Sequence, residues 1–160
     1  MDHVDRIVAQ WHAERPDLDV APLALVGRLI RVSHLLNQRL GDELAEFELQ
    51  PGWFDLLAAL RRSGPPYELN PGELMEATML SSGGMTKRLD RLVEAGLVDR
   101  RPDPDDRRGT RVRLTRRGKA VFDRALEAHL RNEERVLGTL KRADRRELDR
   151  LLRHLLEELE

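Results

Sequence analysis

The sequence predicts a mainly α-helical chain with one small β-hairpin, and three observations carry that reading. Charged residues make up 36% and aromatics only 4% of the 160 residues, with apolar positions recurring mostly at the three- and four-residue spacing of amphipathic helices. Proline, glycine and capping residues punctuate the chain at helix-length intervals. Only one place, Leu97 to Arg101 and Thr110 to Leu114 around a Pro/Asp/Gly loop, reads as paired short strands.

The elements follow in order. Val4, Ile7, Val8 and Trp11 stripe a short first helix that Pro16 ends. Pro22 sits just inside the second, where Leu23, Val26, Ile30, Leu36 and Leu40 line one face to about Phe47. Pro51 is expected to open a third, with Trp53, Leu56, Leu57 and Leu60 inward and Ser63-Gly64-Pro65-Pro66 stopping it. Asn70-Pro71-Gly72-Glu73 reads as a capping box that starts a short helix ending near Ala77. Ser81 or Ser82 is expected to cap the next helix, and Gly96 to end it from the C′ position. After the hairpin, Thr115 caps a long helix to about Leu140. Asp144 with Glu147 reads as a second capping box, and Leu148, Leu151, Leu152, Leu155 and Leu159 stripe the last helix. The middle is therefore a winged helix-turn-helix, bracketed by long leucine-rich helices. Those helices exceed what the module needs for its own core, which points to a homodimer. The expected organisation is a single domain, residues 1–160, with 1–47 and 116–160 as a helical dimerisation region and 48–115 as the winged lobe.

Composition excludes several classes. Cysteine is absent, which rules out disulfides and thiolate metal sites and fits a reducing compartment. No segment approaches membrane-spanning length and no apolar leader opens the chain, so a cytoplasmic protein without a membrane partner is expected. His3, His12, His34, His129 and His154 lack metal-ligand spacing, and Ser81-Ser82-Gly83-Gly84 is not a nucleophile elbow. Neither a metal, a cofactor nor an enzymatic activity is expected.

Charge points elsewhere. Residues 81–119 carry 12 Lys+Arg against 6 Asp+Glu, while the whole chain is 28 against 29, so an excess of 6 positive charges sits on one module and −7 on the rest. A polyanion binder fits that asymmetry. On a helical wheel for residues 82–95, Met85, Leu89, Leu92, Val93 and Ala95 share an apolar arc, and Gly83, Thr86, Lys87, Asp90 and Arg91 face away. Ser81, Ser82, Gly83, Thr86, Lys87 and Arg91 are thus candidates for phosphates and base edges in double-stranded DNA. Arg107 and Arg108, at a loop where Gly109 permits the turn, suit a minor groove. Arg88 falls inside the apolar arc, where a guanidinium needs an anionic partner or a route to water. Snorkelling, a structural ion pair or a ligand site on the back of the helix would each satisfy it.

Taken together, Leu80-Ser81-Ser82-Gly83, Met85-Thr86, Arg88-Leu89-Asp90-Arg91-Leu92, Gly96-Leu97-Val98, Pro104-Asp105-Asp106-Arg107-Arg108 and Leu114-Thr115 resemble the MarR family of bacterial regulators. The resemblance runs over nearly the whole chain. It implies a homodimeric winged-helix repressor, released from a palindromic operator by a small molecule. The start, Gln10-Trp11-His12-Ala13-Glu14-Arg15-Pro16-Asp17-Leu18-Asp19, further resembles the extra helix of a urate-responsive subgroup. That resemblance implies a urate site at Trp11, Asp55, Arg88 and Arg100. Urate is a flat anion suited to bidentate arginine contacts and an indole face. Two other readings stand beside it: a regulator answering a phenolic or other aromatic anion, and a helical scaffold whose basic face binds an acidic protein.

Overall fold

Helix α1 (His3–Glu14) starts at a capping box that the apolar stripe alone does not reveal. The Asp2 carboxylate accepts the Asp5 N–H at 2.8 Å and the Asp5 carboxylate accepts the Asp2 N–H at 2.7 Å. The Asp5 N–H and the Arg28 guanidinium, 2.8 Å away, hold the Asp2 carboxyl below its ordinary pKa. Arg28 also pairs with Asp5. The computed structural model describes residues 1–50, 52–78, 84–104, 106 and 109–160, and the chain divides into two units, 1–42 and 43–160. The first holds α1 and most of α2 (Ala21–Ala45). Val4 is buried where the two helices meet; a Cβ on Gly27 would stand 3.2 Å from its Cγ1. No residue of α2 is buried, and Leu23, Leu25, Val26, Leu29, Ile30, Val32 and Leu35 are all exposed.

The second unit contains α3 (Trp53–Arg62), β1 (Glu68–Leu69), α4 (Pro71–Glu76), α5 (Met85–Glu94), β2 (Val98–Pro102), β3 (Thr110–Leu114), α6 (Arg116–Leu137) and α7 (Arg142–Leu159). Its core is Leu56, Leu57, Leu60, Leu74, Leu92, Val98, Val112 and Phe122, which are essentially inaccessible. Each such side chain contributes roughly 1.5–3 kcal/mol of burial. α3 is enclosed from Leu56 to Leu60, five successive buried residues, so it is the central helix of this unit. The capping box at Asn70 forms as its residues imply, with Asn70 Oδ1 accepting the Glu73 N–H at 2.9 Å and Glu73 accepting the Asn70 N–H at 2.7 Å.

Three sequence-based expectations need correction. α3 starts at Trp53, behind Gly52 in the left-handed region, and not at Pro51, which lies outside the described residues. α5 starts at Met85 with Gly84 as its cap and no side-chain capping bond, so no serine caps it. α7 starts at Arg142, two residues before Asp144, which places Asp144 inside the first turn. Arg145 accounts for that earlier start: its N–H closes on the Lys141 carbonyl at 3.0 Å and its guanidinium on Leu140 O at 3.2 Å. The expected hairpin forms, with β2 pairing antiparallel to β3 from Val98 opposite Leu114 to Pro102 opposite Thr110, and β1 extends it to a three-stranded antiparallel sheet ordered β1-β3-β2. Glu68 and Leu69 pair with Arg113 and Val112, a strand too short to leave a period in the sequence.

Candidate nucleic-acid interface

The C-terminal end of α5 is fixed from three sides. Gly96, at φ +66, closes the helix: its N–H donates to Val93 O at 2.8 Å, and Leu97 N–H donates to Leu92 O at 3.0 Å. Thr115 donates to Gly96 O at 2.8 Å, and Arg117 to Ala95 O at 2.6 Å, so orphan carbonyls of α5 are satisfied from the start of α6. Arg100 on β2 bridges Asp90 on α5 at 2.7 Å. Met85, Leu89 and Leu92 anchor the inner face. Val93, expected on that face, is 37% exposed because it stands at the edge of the arc.

What α5 presents outward is basic. Thr86, Lys87 and Arg91 are exposed, as the wheel implies. Arg88 differs from its expected place. It is half-buried, and its guanidinium turns back toward the start of its own helix, where a Cβ on Gly84 would stand 3.6 Å from Nη1. Gly84, Lys87, Arg88 and Arg91 follow the i, i+3, i+4, i+7 spacing of one helical face. Arg88 therefore borders the apolar seam instead of lying within it. With Gln50 and Trp53 these four residues line a depression of about 310 Å³. Trp53 is 5% exposed and supplies apolar support, while Arg91 Nη1 donates to Gln50 Oε1 at 3.1 Å.

The wing is braced at its root. Asp103 N–H donates to Gly109 O at 3.1 Å and Gly109 N–H to Asp106 O at 2.9 Å. A Cβ on Gly109 would stand 2.9 Å from Asp103 Cβ and 3.0 Å from Asp106 Cβ, so close approach requires glycine there. Arg111 connects this loop to α4. Its Nε lies 3.1 Å from Asp103 Oδ2, as a charge contact and not an aligned hydrogen bond, and its Nη1 lies 3.9 Å from the capping Glu73. Sequence reasoning did not single out Arg111 or Gln50. For Gln50 the available signal was its place just ahead of α3; Arg111 gave none beyond its charge.

The remaining candidates are dispersed. Ser81, Ser82, Gly83, Arg107 and Arg108 lie outside the described residues. Trp11 belongs to the first unit, on α1, with 44% of its surface exposed. Asp55 is half-buried on α3, and Arg100 is exposed and occupied with Asp90. Of the four positions implied for a urate site, only Arg88 lines the depression. Among the described residues, no helix is long and apolar enough to cross a membrane.

Comparison with known proteins agrees with this architecture. A model of the MarR family matches residues 47–109. The HTH-type transcriptional regulator PecS of Dickeya dadantii is 40% identical over 149 residues, 93% of this chain and 90% of that protein. The multiple antibiotic resistance protein MarR of Escherichia coli is 34% identical over 109 residues, 66% of this chain and 69% of its own. A crystal structure of a mutant E. coli MarR complexed with operator DNA superposes with a TM-score of 0.74 at 27% identity, covering 86% of this chain and 97% of that one. From its winged-helix unit, its basic α5 face and these relatives, the chain belongs to the MarR family of transcriptional regulators and is not an enzyme.

Proposed function

We propose that the protein binds a palindromic operator as a homodimer, represses transcription there, and is released by a small anionic aromatic effector, urate or a related purine. The observation that carries the DNA reading is the exposed basic arc of α5, held in place by its buried opposite face. The relative solved with operator DNA supports the same use of the fold. Thr86, Lys87 and Arg91 would approach the major groove and its phosphates, with Ser81, Ser82 and Gly83 at the helix start. Arg107 and Arg108 would reach the minor groove from the wing. Arg91→Ala and Arg108→Ala are each expected to weaken operator binding about tenfold, measured by fluorescence anisotropy on promoter DNA beside the protein's own gene. Affinity that ignores both substitutions would remove these residues from the interface.

Trp11, Asp55, Arg88 and Arg100 are proposed to recognise the effector. Arg100 already binds a carboxylate, that of Asp90, so a planar anion competing for it would loosen the tie between β2 and α5. Reciprocal coupling then follows if effector and DNA prefer different arrangements of the dimer. The chain has two tryptophans, Trp11 and Trp53, so Trp11→Phe isolates the first in a urate titration of tryptophan fluorescence. Trp11→Phe and Arg88→Ala are expected to abolish quenching and urate-driven DNA release. If both survive the substitutions, the effector binds elsewhere; stronger release by salicylate than by urate or xanthine would favour the phenolic class.

A further inference from the structure

We propose that the depression between the residues leading into α3 and the basic flank of α5 is a cradle for one phosphodiester of the operator backbone, with Gln50 as a contact residue. This rests on the DNA-binding reading and adds a residue outside both α5 and the wing. Lys87, Arg88 and Arg91 all line the depression, together with Gln50, Trp53 and Gly84, and among the described residues no carboxylate does. Cations on a concave wall backed by a buried indole concentrate positive potential there. The geometry of Gln50 sharpens the assignment. Its Oε1 accepts from Arg91 Nη1 at 3.1 Å, so its amide NH2 remains the donor end of the side chain and the Arg91 guanidinium is tied to Gln50 beside the helix. A donor fixed at the flank suits a backbone oxygen, whereas base edges are read from the helix end that enters the groove. Gly84 has no side chain to obstruct the mouth.

The same oxyanion chemistry could serve a dissolved phosphate, and the experiment separates the two sources. Gln50 is exposed, so Gln50→Glu and Gln50→Ala should both fold, which thermal melting checks. Gln50→Glu places a carboxylate on Arg91 and is expected to lower operator affinity about tenfold or more, with the slope of log affinity against log salt reduced by about 0.9 for the lost contact. Gln50→Ala should cost about threefold. Operators carrying one uncharged methylphosphonate at successive positions should include one per half-site that weakens the wild type yet weakens Gln50→Glu no further. Wild-type binding with both Gln50 variants unchanged would overturn the cradle while leaving the DNA reading intact; absence of wild-type operator binding would instead remove that reading. Unchanged operator affinity alongside loss of a phosphate-dependent rise in melting temperature in Gln50→Glu would assign the depression to a dissolved anion and overturn the backbone assignment.

Discussion

Gly118→Ala is expected to destabilise the protein by about 3 kcal/mol, although helix propensity alone favours alanine over glycine by about 1 kcal/mol. Gly118 is the third residue of α6, and a Cβ there would stand 1.9 Å from the Leu97 carbonyl oxygen, 2.8 Å from its carbon and 3.1 Å from Leu114 Cδ2. Two of those atoms are backbone, so relief requires α6 to move off the junction between α5 and β2. That junction also contains the Thr115 cap, whose Oγ1 accepts the Gly118 N–H at 2.9 Å and donates to Gly96 O. The substitution should thus lower both the denaturation midpoint and DNA affinity. Gly41→Ala is the matched control. It lies within α2 with no described atom inside 4 Å of its would-be Cβ, so propensity acts unopposed and the change should stabilise by about 0.5–1 kcal/mol. Urea denaturation at one fixed protein concentration measures both. Equal shifts in the two variants would mean that the close packing at Leu97 is not real.

The pair Leu151→Glu with Leu155→Glu is expected to produce a monomer that no longer binds the operator at concentrations where the wild type does. Leu148, Leu151, Leu152, Leu155, Leu156 and Leu159 are all exposed in a single chain, from 38% to 82%, and α7 buries no residue at all. The same helix carries a well-solvated face, where Glu147 pairs with Arg150 and Asp149 with Arg153. An amphipathic helix with its apolar stripe uncovered calls for a partner, and the homodimer proposed above supplies a second copy. Each leucine removed from water contributes roughly 1.5–3 kcal/mol, and an unpaired carboxylate at the same place adds a penalty. Together the two changes should raise the dimer dissociation constant at least about a thousandfold. Sedimentation equilibrium reads the mass directly; an unchanged dimer would move the interface off α7.

Much of the architecture was legible wherever a side chain announces a boundary. Asn70 with Glu73, Thr115 at the start of α6 and Gly96 after α5 all act as their residue types imply. Starts made by glycine were misread. Gly84 caps α5 with φ +82 and no side-chain bond, so nearby serines offered a more familiar but incorrect signature. Asp144 was misplaced for a related reason: an acidic residue suits both the cap and the first turn of a helix, and composition does not separate the two. Arg88 shows the limit of a wheel, which gives direction but not length. Its Cα lies near the apolar seam, yet the long side chain carries its charge to the Gly84 end. Gln50 and Arg111 gained their interest only from tertiary contacts, with Arg91 in one case and with Asp103 and Glu73 in the other.

The basic arc of α5 is proposed to read a specific operator. The affinity of the wild-type protein for promoter DNA beside its own gene and for a scrambled duplex, from about 50 to 200 mM salt, tests this. The promoter is expected to bind at least about a thousandfold more tightly, and affinity for both duplexes to fall steeply with salt. Arg91→Ala is expected to make the salt slope shallower by about 0.9. Equal, salt-insensitive binding to the two duplexes, or no binding to either, would contradict that role for α5.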